Sequence, residues 1–499
     1  MKQGISRRAF LTSLAAAGAG AALPAWAEAP TASLRPVARG EDIRLRTLKS
    51  AEELIDAARL DGTVGFAVIN LATGAVIEQH AGATGMPPAS VAKALTAGYA
   101  LDTLGPEYRF PTEILATGPV RDGVVQGDLV LLGGGDPTLD TDGLAELAAQ
   151  LEEKAITGVS GKFLVCGSAL PFTRTIDPGQ PPHLGYSPAL SGLNLNYNRV
   201  HFEWKKAGGD YDVSMDAPSN TLRPAVRMAR MGIVARSLPV YTYTDGGARD
   251  EWTVARGALG NGGARWLPVR KPELYAGEVF QALAGARGLR LPAPEVVLAR
   301  PEGESLARRE SDVLREILRD MLKYSTNLTA EIVGQTATRV RTGMVTSLET
   351  SAAAMNAWAR EELGLTNVAL VDHSGLSGLS RIAAVDMATA MKELRTRLEL
   401  KPLLKPFKMR DQQGRSVNDH PVQVQAKTGT LNFVSGLSGF AELPDGSELA
   451  FAIFCGDIPR REALSMAQRE RPEGARSWNA RAKMLQSRLI ERWAVLANA

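Results

Sequence analysis

The sequence predicts an α+β protein, because its strand-like and helical segments fall into separate runs and do not alternate along the chain. Strand hairpins are predicted near both ends, at residues 63–78 and 434–455. Helical periodicity appears between residue 310 and the second hairpin. The middle of the chain, residues 112–290, is rich in Gly and Pro, alternates apolar and polar residues, and is predicted to be rich in strands.

Local patterns place the elements in order. Residues 63–69 (Thr-Val-Gly-Phe-Ala-Val-Ile) form the first predicted strand, and a turn at 71–74 leads into the second. Two prolines precede a helix predicted over 90–104. Further helices are predicted at 312–323, 347–362 and 478–496. The arginines of the last helix also fit a membrane-surface helix, but docking on a sheet is the favoured interpretation.

The composition indicates a globular protein with a sizeable core, because 44% of the 499 residues are hydrophobic and 22% are charged. The length predicts two domains, and three also fit. Lys2, Arg7 and Arg8 account for the whole formal net charge of +3, so the chain without its first 27 residues has none. No basic run carries interleaved aromatic residues, and nucleic acid is therefore not an expected partner.

The N-terminus has the pattern of an export signal. Arg7 and Arg8 precede an uncharged run of Ala, Leu and Gly at 14–23, and the small-residue pattern Ala-Trp-Ala follows at 25–27. The arginine pair resembles the twin-arginine signal, and an ordinary secretory signal is the alternative. The apolar run is short for a membrane span. We expect export to the periplasm, with a mature chain that begins near Glu28 and has no integral membrane span.

Metal and cofactor sites are not expected. The five histidines are scattered without metal-ligand spacing. The triple glycine at 133–135 lacks the Gly-Lys-Ser/Thr that follows in a phosphate-binding loop, so it is interpreted as a turn. Cys166 and Cys455 each end a strand-like run, which favours two buried thiols and leaves a disulfide open.

Ser90-x-x-Lys93 is the first of three motifs that carry chemistry. The two residues lie three positions apart on one predicted helical face, so the amine can reach the hydroxyl. A serine hydroxyl is a poor nucleophile until a base takes its proton. Lysine can act as that base only if burial or a second cation lowers its pKa, and Lys427 is a candidate for the second cation.

The other two motifs lie far along the chain. Ser325-Thr326-Asn327 stands between two helical stretches, where its ordinary role is a helix N-cap. The run Lys427-Thr428-Gly429-Thr430 ends an alternating strand-like segment. On an edge strand, its backbone can pair with an extended peptide and its side chains can meet a terminal carboxylate. The glycine then lets the substrate approach closely.

Taken together, these motifs resemble the low-molecular-mass penicillin-binding proteins that act as D-alanyl-D-alanine carboxypeptidases and endopeptidases and carry a large insert. The resemblance covers residues 62–457. Further segments that carry it are Pro-Ala-Ser at 88–90, Tyr-Arg-Phe at 108–110, Gly-Gly-Gly-Asp-Pro-Thr-Leu at 133–139, Asn-Leu-Asn at 194–196 and Ser-Gly-Leu-Ser at 374–377. The long separation between Lys93 and Ser325 also matches, because β-lactamases with the same motifs place the second one closer to the first.

The resemblance implies a penicillin-binding/β-lactamase-like catalytic domain, with helices against an antiparallel sheet, that is split by a β-rich insert of two small domains. The implied organisation is a signal peptide at 1–27, the catalytic domain in two parts at 28–95 and 285–499, and the insert at 96–284. The implied partners are peptidoglycan peptides, and β-lactam antibiotics as covalent inhibitors. No cofactor is implied, and the oligomeric state stays open.

The resemblance also implies roles for residues. Ser90 is the nucleophile, Lys93 its base, and Ser325 relays a proton to the leaving amine. The backbone N–H groups of Ser90 and Thr430 form the oxyanion hole. Asn327 binds the amide carbonyl of the substrate. A carboxylate is held by the third motif, through Lys427, Thr428 and Thr430, beside Gly429.

Two positions depart from the family pattern. Thr326 stands where the family often has Asp, and His373 stands where it usually has Gly. His373 is interpreted as a local pocket or loop residue, because Lys93 already supplies the base. Two alternatives to the peptidase stay open: a β-lactamase or esterase on the same motifs, and a peptidoglycan-binding scaffold without catalysis.

Overall fold

A computed structural model describes residues 45, 47–411 and 413–497. Contacts divide the chain into Met1–Leu48 and Lys49–Ala499, and all elements discussed below lie in the second unit. The predicted signal peptide, residues 1–27, lies outside the described residues. Within the described ranges, no helix combines the length and the apolar character needed to cross a bilayer.

Helices and strands are numbered in chain order. The helices are α1 Ala51–Ala58, α2 Ala92–Leu104, α3 Thr141–Glu153, α4 Pro272–Ala286, α5 Leu314–Tyr324, α6 Asn327–Thr342, α7 Leu348–Leu363, α8 Ala384–Leu398, α9 Ile458–Glu462 and α10 Ala475–Leu496. The strands are β1 Thr63–Asn70, β2 Val76–His80, β3 Gly85–Met86, β4 Pro111–Ala116, β5 Val120–Arg121, β6 Val124–Val125, β7 Leu129–Gly133, β8 Gly158–Val159, β9 Phe163–Cys166, β10 Arg199–Ala207, β11 Asp210–Asp216, β12 Ala229–Val234, β13 Tyr241–Asp245, β14 Asp250–Ala255, β15 Gly262–Pro268, β16 Pro294–Val297, β17 Glu304–Glu310, β18 Val368–Ala369, β19 Arg381–Ala383, β20 Lys405–Pro406, β21 Gln423–Leu431, β22 Val434–Glu442 and β23 Glu448–Gly456.

The central element is a six-stranded sheet in the order β2-β1-β23-β22-β21-β20. Each pair of adjacent strands in this sheet is antiparallel. The sheet therefore joins the first hairpin of the chain to the last one. Strands β22 and β23 are buried along almost their whole length, because helices cover both faces of the sheet.

Each face of this sheet packs on its own hydrophobic core. One core joins alternate residues of β1 and β23, such as Ala67 and Phe454, to α2, α5, α6, α7 and α8. The other joins the opposite faces of those strands, such as Phe66 and Ile453, to α10, with Trp493 fully buried. This alternation follows from the two-residue period of a strand. The result is a helix–sheet–helix sandwich.

The middle of the chain builds a five-stranded sheet in the order β16-β9-β7-β4-β17, and three smaller sheets of three strands each. Helices α3 and α4 pack on the five-stranded sheet, with Leu147 and Phe280 fully buried in this separate core. Strands β16 and β17 pair with β9 and β4 although they follow residue 284, the predicted end of the insert. The domain boundaries stay a prediction.

Candidate active site

Ser90 lies in a short 3₁₀ turn, Ala89–Val91, immediately before α2. The preceding residue, Ala89, is held at a φ of 47°, a backbone region that residues with a side chain rarely adopt. Ser90 is half-buried, whereas Lys93, in the first turn of α2, is fully buried. The Lys93 Nζ atom lies 3.0 Å from Ser90 Oγ. The geometry therefore places an amine within hydrogen-bond reach of the hydroxyl.

The Lys93 amine has two further partners. Its Nζ atom lies 2.7 Å from Asn327 Oδ1 and 2.8 Å from the carbonyl oxygen of Ser374. Burial lowers the pKa of Lys93 to about 8, although Glu331 and Asp372 favour the charged form. A lysine with a pKa near 8 is neutral often enough at physiological pH to accept a proton.

A hydrogen bond joins the second motif to the third. Ser325 ends α5 in the left-handed region, with a φ of 62°, and this turn carries the chain into α6, which begins at Asn327. Lys427 Nζ donates to Ser325 Oγ at 3.0 Å and to the carbonyl of Thr428 at 2.7 Å. Lys427 is almost fully buried. Burial lowers its pKa well below the usual value, and the charges of Lys93 and Lys405 add to the effect.

Strand β21 presents the third motif at a partly open edge. Its neighbour β20 pairs only with Gln425 and Ala426, so within the described residues the stretch from Lys427 to Leu431 has β22 as its strand partner on one side alone. Thr430 is exposed and Gly429 is buried. An open strand edge can pair with an extended peptide.

Gly429 lies directly against the turn that carries Ser90. A Cβ atom at this position would lie 2.6 Å from the carbonyl oxygen of Pro88 and 3.0 Å from the backbone nitrogen of Ser90. Two backbone segments therefore approach each other at a distance that a residue with a side chain does not permit.

A cavity of about 870 Å³ joins the three motifs. Its wall includes Ser90, Ser325, Asn327, Thr430, Tyr186 and Arg461. Lys93 and Lys427 lie behind this wall, within hydrogen-bond distance of Ser90 and Ser325 respectively. The structure thus brings together all eight residues that the sequence singled out: Ser90, Lys93, Ser325, Asn327, Lys427, Thr428, Gly429 and Thr430.

A loop from the middle of the chain closes one side of this cavity. The carbonyl of Tyr186 accepts a hydrogen bond of 2.9 Å from Asn327 Nδ2. The loop is attached to the segment after α9 by His183, whose Nε2 lies 3.0 Å from Glu470 Oε2, and by Arg469, which donates to the carbonyl of Gly179. Tyr186 is not predictable from the sequence as a site residue, because its backbone carbonyl and not its side chain makes the contact with Asn327.

His373 lies in the loop that supplies the Ser374 carbonyl, and it is fully buried. Its Nε2 atom lies 2.8 Å from Ser351 Oγ, and its ring stacks on Tyr99. Burial lowers the pKa of His373 to about 3, so the ring is neutral at physiological pH. It has a structural role behind the site and makes no hydrogen bond to Ser90 among the described contacts.

One group in the described part of the chain has donors suitable for a metal ion: His201, Glu203 and Asp216. It lies on β10 and β11 of the inserted sheets. Arg223 makes salt bridges with both Glu203 and Asp216 and compensates one of their two negative charges. Cys166 and Cys455 are both free and buried, and burial raises the pKa of the Cys455 thiol to about 12.

The fold and the paired Ser–Lys motifs define a serine enzyme with a penicillin-binding/β-lactamase-like catalytic domain. The sequence model of the D-Ala-D-Ala carboxypeptidase 3 (S13) family matches residues 48–472. The chain belongs to this family.

Curated relatives and solved structures agree with this assignment. A D-alanyl-D-alanine carboxypeptidase of Actinomadura sp. (strain R39) is 28% identical, over 91% of this chain and 89% of the relative. The D-alanyl-D-alanine carboxypeptidase DacB of Haemophilus influenzae is 23% identical, over 81% of this chain and 88% of the relative. The crystal structure of penicillin-binding protein 4 (dacB) from H. influenzae superposes with a TM-score of 0.74 at 19% identity, over 88% of this chain and 98% of that one. The predictions of the family, of the fold class and of a serine-type D-Ala-D-Ala carboxypeptidase are confirmed.

Proposed function

We propose that the protein cleaves D-alanyl peptide bonds in peptidoglycan through an acyl-enzyme on Ser90, and that β-lactams acylate the same residue. The observation that carries the proposal is the buried Lys93 amine, 3.0 Å from Ser90 Oγ and with its pKa lowered to about 8. The remaining motif residues lie around the same cavity, which supports a shared role in one reaction.

The first step is attack on the substrate carbonyl. Neutral Lys93 takes the proton of Ser90, and Ser90 Oγ forms a bond to the carbonyl carbon of the penultimate D-alanine. Negative charge develops on the carbonyl oxygen, and the backbone N–H groups of Ser90 and Thr430 stabilise it. Loss of one such donor costs about 3 kcal/mol in other enzymes.

The tetrahedral intermediate then collapses. The C–N bond breaks, and the proton that Lys93 took from Ser90 passes through Ser325 to the leaving amine, so Lys93 is neutral again. Lys427 donates a hydrogen bond to Ser325 Oγ and holds this hydroxyl in place. Asn327 holds the amide carbonyl of the substrate, and the third motif holds its carboxylate. Water then hydrolyses the ester on Ser90, with Lys93 again acting as the base.

The contacts of the two carboxylates near Lys93 favour the peptidase over a β-lactamase. Fast penicillin hydrolysis needs a base that activates water at the ester. Glu331 and Asp372 are fully buried or nearly so, and backbone N–H groups engage the oxygens of both. Neither carboxylate is among the residues that line the cavity with Ser90, so neither is placed to activate water at the ester.

Mass spectrometry of the intact protein after incubation with a penicillin tests the assignment. We expect one adduct, mapped to the peptide that contains Ser90, and release of D-alanine from a D-Ala-D-Ala peptide. Ser90→Ala is expected to lose both. An adduct on folded Ser90→Ala would refute the assignment, and rapid recovery of hydrolysed penicillin would favour the β-lactamase.

The proposal includes the location. The signal-like pattern of residues 1–27 and the peptidoglycan substrate together support export to the periplasm, and the pair Arg7-Arg8 supports the twin-arginine route.

A further inference from the structure

The three acceptors around Lys93 set the direction of its lone pair. A charged amine donates three hydrogen bonds, here to Ser90 Oγ, Asn327 Oδ1 and the Ser374 carbonyl. A neutral amine keeps two N–H groups and one lone pair. If Asn327 and Ser374 retain the two N–H groups, the lone pair faces Ser90. The position of the Ser374 carbonyl therefore matters for proton transfer.

Glu331 holds that carbonyl in place. Its Oε2 accepts the backbone N–H of His373 at 2.9 Å, and its Oε1 accepts the N–H of Ser374 at 2.9 Å. Each oxygen of the carboxylate thus binds one of two consecutive N–H groups. Glu331 is fully buried, and its position on α6 is one turn after Asn327. Residues four apart on a helix share a face, so α6 supports both fixed acceptors of Lys93.

We infer that Glu331 is a positioning residue for acyl transfer: its carboxylate fixes the 373–374 backbone so that the Ser374 carbonyl orients the Lys93 amine toward Ser90. The inference rests on the proposed function, because it requires Ser90 to be acylated. Among the described contacts, Glu331 makes no hydrogen bond to Ser90 or Lys93, so it positions the amine through this backbone. Its charge acts in addition on the pKa of Lys93.

Three ionisable groups interact electrostatically with Lys93 from the elements packed around it: Glu331 from α6, Asp372 from the loop and Lys427 from β21. His373, in the same loop, is neutral, and its ring contacts Ser351 and Tyr99. Burial and the nearby Asp372 raise the pKa of Glu331 to about 8, whereas its hydrogen bonds from two backbone N–H groups favour the ionised carboxylate. In this ionised form, Glu331 favours the charged form of Lys93. Removing this charge therefore lowers the pKa of Lys93, and the rise of the acylation rate with pH moves to lower pH.

The test measures β-lactam acylation of the full mature protein across pH, separating the dissociation constant from the first-order acylation rate. Glu331→Gln keeps the size of the side chain but turns an N–H group toward one backbone N–H. We expect the acylation rate to fall about 10- to 100-fold, the range that small misplacements of catalytic groups produce. The dissociation constant is expected to stay within about twofold, because the groups that bind the ligand are unchanged.

A control variant distinguishes the loss of the Glu331 carboxylate from a general destabilisation of α6 as the cause of a slower rate. Gln335 is fully buried one turn further along α6, and its side chain bonds only to the carbonyl of Glu331 among the described contacts. Gln335→Met is expected to keep the wild-type rate and pH profile. Glu331→Asp, which retains the charge, is the second variant should Glu331→Gln not fold, and it is expected to slow acylation without moving the pH profile.

Two results would overturn the inference: a wild-type acylation rate in folded Glu331→Gln, or an equal loss in Gln335→Met. Failure of the wild-type protein to form any adduct on Ser90 is a different result, and it refutes the proposed function itself.

Discussion

Replacing Gly429 with Ala tests whether the close approach of β21 to the nucleophile turn is required for catalysis. The added methyl carbon would lie 2.6 Å from the Pro88 carbonyl oxygen, 3.0 Å from Ala89 Cβ and 3.0 Å from the Ser90 nitrogen. Carbon and oxygen atoms that do not bond stay more than 3 Å apart, so one backbone must move. Overpacking of this kind costs about 1–3 kcal/mol of folding free energy.

The effect on the rate is expected to exceed the effect on stability. Movement of β21 away from the turn separates the N–H groups of Ser90 and Thr430, which the proposed mechanism uses together at the oxyanion. Loss of one oxyanion donor lowers rates by about 10²–10³. We therefore expect Gly429→Ala to acylate about 100-fold more slowly with a labelled penicillin, at a temperature where it remains folded.

Gly285→Ala is the matched control. Gly285 lies near the end of α4, is exposed, and has no atom within 4 Å of an added Cβ. The same chemical change is expected to leave acylation unchanged and to stabilise the helix by up to about 1 kcal/mol. Unfolding in denaturant and acylation kinetics are measured on both variants. Wild-type acylation in Gly429→Ala would refute the close-approach reasoning.

Two further predictions concern stability and export. His373→Phe is expected to reduce the loss of stability in acid. The pKa of His373 falls from 6.5 in the unfolded chain to about 3 in the folded protein. The contribution of the neutral ring to the free energy of unfolding is therefore complete above pH 6.5 and is lost as the pH falls toward 3. At pH 5 the lost stability amounts to about 2 kcal/mol. Denaturant unfolding of the wild type and of His373→Phe at pH 7 and pH 5 measures this loss, and an equal loss in the two proteins would contradict the prediction. Exchange of Arg7 and Arg8 for Lys is expected to abolish export by the twin-arginine route, measured as the periplasmic fraction; undiminished export would favour the ordinary secretory signal.

The sequence predicted the elements whose patterns are local. Strand β1 begins at Thr63 as expected, and the final hairpin lies at β22 and β23. The predicted helix over 90–104 is observed as a 3₁₀ turn followed by α2. Helices α3 and α4 were not predicted, because they lie in a Gly- and Pro-rich region whose overall pattern is that of strands. Their apolar faces become evident only against the five-stranded sheet.

The motif residues of the site were predictable from the sequence, whereas the residues that hold them in position were not. Ser90-x-x-Lys93 has a spacing with its own chemical meaning, and the three motifs together are specific. Glu331 has no such signature: a Glu in the middle of a helix is ordinarily exposed, and only its position one turn after Asn327 gives a hint. The contact of Asn327 with Tyr186 depends on a backbone carbonyl from a distant loop, and no side-chain pattern encodes it.

Backbone strain at the site follows from the same geometry. Ala89, before the nucleophile, and Ser325, the first residue of the second motif, both have positive φ angles, each at a cost of about 1–3 kcal/mol. The turn at Ala89 brings the Ser90 backbone against Gly429, and the turn at Ser325 brings its hydroxyl to Lys427. Both distortions point a reactive group into one cavity. The surrounding packing must therefore hold them, so the geometry of the site depends on buried groups such as Glu331 as well as on the residues that line the cavity.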